Sequence, residues 1–349
     1  MRVGLDLAER SYDVVVERGA RHRLNELIEQ RVPDARFVVI VAPESLQGEA
    51  WFDFAPAIAW TVVTIPEGES AKSLTVIEKL CAEFVTLGLS RRDVVVSVGG
   101  GATTDVVGFA AAIYQRGVAV IHVATSLVAQ VDAAIGGKTG VNLAGAKNMV
   151  GSFHQPVGVL CDLETLDTLA DRERLCGLGE IAKCWLLESR TLGELEQSDL
   201  STCIEVAVSL KAAIVSADER DGAQRALLNY GHTLAHALEA QQMLGAPFDL
   251  RHGEAVAIGL AFAARLAHHL GRVNHEFVAH SDAVLNYLDL PRTLPAGANV
   301  DALLAAMGRD KKAHHSLTFV LANGVNFSVV DSLQPSDVRT ALEAFKGEQ

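Results

Sequence analysis

The chain has 349 residues, 49% of them hydrophobic and 21% charged, and a formal net charge of −13 at pH 7. That length accommodates two domains, each with its own core, and that charge excludes nucleic acid or an anionic membrane surface as a partner, so an anionic ligand needs a local basic cluster. Five irregularly spaced cysteines (Cys81, Cys161, Cys176, Cys184, Cys203) argue against a disulfide framework. Charges and glycines interrupt any signal-peptide pattern in the first thirty residues. No apolar run approaches the ~20 residues of a membrane span, and the chain reads as cytoplasmic.

Residues 11–17 alternate polar and apolar as a strand does, with Leu5 and Leu7 as the start of a hairpin partner. Residues 20–31 have helical character. The continuous apolar runs 36–42, 60–65 and 93–98 read as buried parallel strands, with an amphipathic helix at 73–87 between the last two. This alternation predicts a parallel sheet flanked by helices, with ligands at the strand C-termini. The strand at 93–98 runs into Gly99-Gly100-Gly101 and then a helix over 105–116. Such a turn lets backbone approach a phosphate, and the helix start offers unpaired N–H groups. It is not the Gly-x-Gly-x-x-Gly fingerprint, and a purely structural turn remains an alternative. After a strand at 118–123, residues 130–148 read as a polar loop with Asp132, Lys138, Asn142, Lys147 and Asn148 among buried apolar neighbours; such loops bind ligands.

From residue 169 the pattern turns helical: 178–187, 200–217, 224–244, 253–270, 276–288 and a short 300–307. Two runs at 316–321 and 325–330 predict a hairpin turned at Asn323-Gly324. His232 and His236 stand four residues apart, one turn along a helix face, and His252 opens another apolar helix. Three imidazoles with nearby carboxylates suit a catalytic zinc, which takes three protein ligands. On the His232–His236 pair alone, ordinary surface or core histidines are an equally good reading. His268-His269 and His314-His315 have no metal-like spacing and read as surface residues.

Taken together, Pro66-Glu-Gly-Glu-Ser-Ala-Lys-Ser73, Gly99-Gly-Gly-Ala-Thr-Thr-Asp105, Tyr114-Gln-Arg-Gly117, Gln130-Val-Asp132 with Gly136-Gly-Lys138-Thr139, Lys147-Asn148, Phe153-His-Gln-Pro156, Gly179-Glu-Ile-Ala-Lys183, Asp218-Glu-Arg220, Leu227-Leu-Asn-Tyr-Gly-His232 and His252-Gly-Glu254 resemble the sugar-phosphate cyclase family, and within it the dehydroquinate synthases. The resemblance runs over nearly the whole chain, to Asp310-Lys-Lys312. It implies an NAD-binding Rossmann-like α/β domain over residues 1–168 and a mainly α-helical zinc- and substrate-binding domain over 169–349. Such enzymes turn a seven-carbon keto-acid sugar phosphate into a carbocycle. The steps are transient oxidation with NAD, phosphate loss, re-reduction and an intramolecular aldol closure, so the net reaction is that of a lyase.

By matching position, the resemblance implies Glu180, His232 and His252 as metal ligands. Zinc is the implied ion and Co²⁺ a substitute. It implies Asp132, Lys138, Lys183, Lys211, Arg225, Asn229, His236 and Lys312 as catalytic residues, and Arg116, Asn148 and Lys311 as substrate contacts, with Arg116 reaching the neighbouring site of a homodimer. For NAD it implies Glu67, Gly68, Glu69, Ser70, Ala71 and Lys72; Gly101, Ala102, Thr103, Thr104 and Asp105; Thr125, Ser126, Lys138 and Lys147; and Thr165, Leu166, Asp167 and Thr168. The departures from the family pattern are Ala124 and Ser126, Ala170, Asp221 near Arg225, and a longer stretch between His236 and His252. Two alternatives stand beside this expectation. One is a sister cyclase such as one acting on the amino analogue; the other is an NAD-dependent polyol dehydrogenase of the same architecture, which would not need the Lys138, Lys211, Arg225 and Lys312 cluster.

Overall fold

A computed structural model describes residues 1–144, 146–220, 222, 224–309 and 317–348. The chain divides into two compact units, Met1–Ala170 with Val208–Glu219, and Asp171–Ala207 with Arg220–Gln349. Residues 208–219 return to the first unit, a crossing that the sequence pattern did not show.

The first unit is built on β1 (Arg2–Leu5), β2 (Tyr12–Glu17), α1 (Leu24–Arg31), β3 (Phe37–Pro43), α2 (Glu44–Gln47), β4 (Ala59–Ile65), α3 (Leu74–Thr86), β5 (Val94–Gly99), α4 (Gly101–Ile113), β6 (Ala119–Ala124), β7 (Lys138–Leu143), β8 (Ala146–Phe153) and β9 (Gly158–Asp162). Seven strands form one sheet in the order β1-β2-β9-β6-β5-β3-β4. All its pairings are parallel except β1 with β2. Every residue of β5 is buried, which explains its unbroken apolar sequence: helices cover both faces of a parallel sheet. α3 is capped by Ser73, whose side chain accepts from the Val76 N–H, and it buries Ile77, Leu80 and Phe84, worth ~1.5–3 kcal/mol each. Chain order reverses between β3 and β5, which puts the Gly99–Gly101 turn at the switch point of the sheet, where open α/β folds hold ligands.

Two expectations for this unit are corrected. α4 begins at Gly101, with Gly100 as its N-cap, rather than at Asp105, and ends at Ile113. Glycine is tolerated in a first turn, so the third glycine joins the helix. Residues 130–148 are not a loop either. A π-helical turn, Ala129–Ala133, carries Asp132, and β7 pairs with β8 as an antiparallel hairpin.

The second unit contains α5 (Asp171–Leu187), α6 (Leu192–Gln197), the first part of α7 (Leu200–Ala217), α8 (His232–Met243), α9 (His252–His269), α10 (His275–Tyr287), α11 (Val300–Arg309), the hairpin β10 (Leu317–Asn323) and β11 (Asn326–Leu333), and α12 (Pro335–Lys346). By length and composition alone α7 is apolar enough to cross a membrane; in this fold its Ile204, Ala207, Val208, Ala212 and Val215 are buried. α9 is the axis of the unit, with fourteen of its eighteen residues buried against α5, α8, α10, α12 and β10. The helix expected over 224–244 is broken. Arg225–Asn229 is a 3-10 turn, and Gly231 adopts a left-handed φ of 80° before α8 starts. Packing causes the break: a Cβ built on Gly259 of α9 would lie 1.9 Å from the Gly231 carbonyl oxygen, so α9 crosses directly over that backbone.

Candidate active site

In the second unit, Glu180 lies in the middle of α5 while His232 and His252 are the first residues of α8 and α9. One donor atom from each comes within 4.8 Å of the others. His252 Nε2 is 3.2 Å and His232 Nε2 3.4 Å from Glu180 Oε1. Lys183, one turn along α5, forms an ion pair with Glu180 Oε2. Close helix crossings bring the three elements together. A Cβ on Gly253 would stand 1.7 Å from the Cys176 carbonyl oxygen, and one on Gly179 2.2 Å from that of Gly253. The Gly253 N–H donates to Cys176 Sγ at 3.1 Å. In front of α9, Glu254 accepts from the Arg251 N–H at 2.7 Å. Arg172 meets the same carboxylate and that of Asp249, fastening the segment that delivers His252.

The donor set fits a divalent cation. Both Glu180 oxygens are buried without a well-formed hydrogen bond, and what they face is cationic or imidazole. Burial alone would raise the Glu180 carboxyl, but Lys183 and His232 hold it well below the usual carboxylate range. Burial, then the Lys183 charge, lowers His232. For His252 burial acts downward too, yet Glu180 and Glu239 on its two sides outweigh it and raise it. Each of the two imidazoles turns its Nδ1 to another partner, His232 to the Tyr230 carbonyl oxygen at 3.1 Å and His252 to Glu239 at 3.2 Å. That leaves both Nε2 atoms facing the carboxylate, as metal-bound histidines do.

His236 packs beside this group, its ring 5.5 Å from that of His232 and stacked 6.5 Å from that of His252. Arg225 is only 2% exposed, in the 3-10 turn that ends at half-buried Asn229; it is not two α-helical turns before His232, as the continuous pattern implied. Lys311, Lys312, Asp221 and His314-His315 lie outside the described residues. His268 and His269 are exposed.

In the first unit a second set of polar residues is tied together. The ammonium of nearly buried Lys72 bonds Asp105 Oδ2 at 2.5 Å and the Asn148 side-chain oxygen. Burial lifts the Asp105 carboxyl to about 6 against the pull of Lys72. Asn142 donates through its backbone to the Lys72 carbonyl and through Nδ2 to Glu69 Oε1 at 2.7 Å. The Gly68–Ala71 turn, the start of α4 and the β7–β8 hairpin are thus bonded to one another. Lys211, on the part of α7 in this unit, reaches both the carbonyl and the carboxylate of Asp132. Lys138 and Lys147 are exposed on β7 and β8, and Arg116 is exposed after α4 in a left-handed backbone. Ala102, Thr103 and Thr104 occupy the first turn of α4, and Thr125 and Ser126 follow β6. Thr165 caps back onto the Asp162 carbonyl, Asp167 pairs with Arg18, and Thr168 accepts from Trp51 Nε1.

Sequence reasoning missed Glu239, Arg172 and the glycine crossings; Cys176, four residues before Glu180, was readable as a residue lining the site or packing beside it. Glu239 had a signal: with His232 and His236 it forms an i, i+4, i+7 stripe on one face of α8.

A doubly wound sheet with a glycine turn at its switch point and a helical unit holding a Glu–His–His cation site define a dinucleotide-and-metal type of enzyme architecture. The chain belongs to the 3-dehydroquinate synthase family, whose N-terminal model matches residues 62–176 and whose C-terminal model matches residues 177–313. A protein of Amycolatopsis mediterranei described as a candidate aminodehydroquinate synthase is 48% identical over 339 residues, covering 97% of this chain and 92% of that one. The 3-dehydroquinate synthase of Nitrobacter hamburgensis is 41% identical, covering 97% and 94%. Among solved structures, a 2-epi-5-epi-valiolone synthase from Streptomyces hygroscopicus with NAD⁺ and Zn²⁺ bound superposes with a TM-score of 0.79 at 28% identity, covering 97% of each chain.

Proposed function

We propose that the chain converts 3-deoxy-D-arabino-heptulosonate 7-phosphate to 3-dehydroquinate and phosphate, as a carbon–oxygen lyase of aromatic amino-acid biosynthesis (the shikimate pathway). The observation that carries this is the buried Glu180 carboxylate with the Nε2 atoms of His252 and His232 3.2 and 3.4 Å from one of its oxygens, in a chain that full-length family relatives match. The Zn²⁺ and NAD⁺ of the valiolone synthase structure support the same pair of cofactors here. When bound, the metal supplies a Lewis acid and NAD a reversible hydride acceptor.

On this reading Glu180, His232 and His252 hold the metal, and Lys183 balances the carboxylate charge before an ion arrives. The residues of the Glu67–Lys72, Gly101–Asp105, Thr125–Ser126 and Thr165–Thr168 stretches, with Lys138 and Lys147, contact NAD in a domain ending near residue 168. There the Lys72–Asp105–Asn148 network fixes the backbone against which the cofactor lies. Lys211 holds and orients the Asp132 carboxylate, so that Asp132 can take and return a proton at a substrate hydroxyl. Arg225 offers a planar fork that suits a carboxylate. Lys138, Asn148, Asn229, His236, Lys311 and Lys312 supply the donors an anionic sugar phosphate needs in an acidic chain. The protein works as a cytoplasmic homodimer, with Arg116 contributed to the neighbouring site.

The 48% identity to the Amycolatopsis protein favours one second reading, the amino analogue of the same substrate. Phosphate release assayed in parallel from the keto-acid heptulose phosphate and from its amino counterpart tests both. The first reading expects many phosphates per NAD from the keto-acid sugar with no net NADH. Turnover of the amino substrate alone selects the second, and NADH accumulating in step with product overturns both.

A further inference from the structure

Glu239 sits beside the cation triad without belonging to it. It is carried by α8, seven residues after His232, and is 8% exposed. A carboxylate at that depth is costly unless it holds a partner. Its Oε1 lies 3.2 Å from His252 Nδ1, while the opposite nitrogen of the same ring lies 3.2 Å from Glu180 Oε1. His252 is therefore held at both nitrogens, the outer one by Glu239. His232 is held in the same manner, but its outer partner is the Tyr230 carbonyl, a neutral acceptor. A carboxylate draws on an N–H more strongly than a carbonyl does, and the electron density it returns raises the basicity of the far nitrogen.

We propose that Glu239 is the positioning residue of the metal centre, resting on the reading of Glu180, His232 and His252 as its ligands. It accepts the Nδ1 proton of His252, fixes Nε2 as the nitrogen that meets the metal, and makes His252 the stronger donor of the two imidazoles. The alternative is a tie between α8 and α9 that matters for folding alone.

The test uses the whole protein freed of metal with a chelator, as wild type, Glu239→Ala and Glu239→Gln. Each form is titrated with Co²⁺, followed by its visible absorption, and with Zn²⁺ in competition with a chromogenic chelator; thermal unfolding of each metal-free form is recorded alongside. Glu239→Ala should weaken Zn²⁺ binding ~10–100-fold and shift the Co²⁺ spectrum. Glu239→Gln, whose amide oxygen still accepts from Nδ1–H, should recover most of that loss. Wild-type affinity and spectrum in Glu239→Ala, whatever its melting temperature, overturn the proposal in favour of the folding tie. A Glu239→Gln protein as weak as Glu239→Ala overturns the hydrogen-bond role. Failure of the wild type to take up either ion overturns the metal centre itself.

Discussion

The crossing of α5 and α9 makes Gly253→Ala a sharp perturbation. The added Cβ would lie 1.7 Å from the Cys176 carbonyl oxygen, and side-chain carbons essentially never come nearer than 3.0 Å to such an atom. The clash is with backbone, so no rotamer change relieves it. The two helices must part by about 1.3 Å, the difference between those two distances. Gly253 follows His252, and Glu180 lies one turn beyond Cys176 on α5. Metal bonds keep within ~0.2 Å of their preferred lengths, so a displacement several times larger takes the donor set out of range. Overpacking of this kind also costs ~1–3 kcal/mol of stability, or about 2–4 °C of melting temperature per kcal/mol in a unit of this size. Zinc content after gel filtration and thermal unfolding with and without zinc measure both effects. The control is Gly193→Ala on α6, where a Cβ meets nothing within 4 Å; both readings should stay at the wild-type level. Stoichiometric zinc together with an unchanged melting temperature in Gly253→Ala would refute the role given to the glycine crossing.

Two further perturbations address the first unit. His122 is buried with its Nδ1 2.6 Å from Ser97 Oγ, and burial, with a smaller push from His154, drops its pKa to about 3. Between that value and the ~6.5 of an unfolded histidine the unfolded chain binds the extra proton. The stability held with neutral His122 is therefore complete above about 6.5 and is lost as pH falls, at up to ~1.4 kcal/mol per pH unit. His122→Gln should flatten this acid limb in denaturant titrations from pH 4 to 6.5, and an unchanged slope would exclude the histidine as its source. Lys72→Met leaves the half-buried Asp105 without its cation, which should cost less than the ~3–5 kcal/mol of a fully buried pair near neutral pH. Lys72 holds the Asp105 carboxyl down to about 6, so the variant takes up its proton at a higher pH and the penalty should be gone once pH falls below about 6; a loss equally large at pH 5 would contradict the pairing.

Local pattern predicts well where local causes operate. β3 and β5 were readable as unbroken apolar runs because two covered faces leave no room for alternation; β4, read from its apolar run as buried too, is the edge strand and is mostly exposed or half-buried. α7 has the bounds its periodicity implied, and α9 starts one residue before its apolar run. The break at Gly231 was hidden because Leu227, Leu228 and Tyr230 continue a helix-like pattern; what interrupts the helix is Gly259, brought in from α9. The β7–β8 hairpin escaped because its short strands carry polar and glycine residues that resemble a loop. α12 was overlooked although Pro335 opens it and Val338, Ala341, Leu342 and Phe345 give it a buried stripe. Of the triad, His232 alone stood in a visible spacing, with His236, which is not one of the three; His252 showed only as the opening of another apolar helix, and Glu180 on its own looks like any helix carboxylate and entered only through the family resemblance.

α9 is apolar around most of its circumference, and a helix of that kind has no independent existence in water. Its first residue is His252, so the Glu180–His232–His252 cluster does not exist until the surrounding helices and β10 have enclosed the whole rod. On the proposed reading of these three residues as metal ligands, ion uptake and assembly of this unit are a single linked equilibrium. A bound ion would add its free energy to the folded state, and loosened packing past the middle of α9, where Phe262 meets Phe319 and Phe345, would be felt as weaker retention of the ion some two to three turns away.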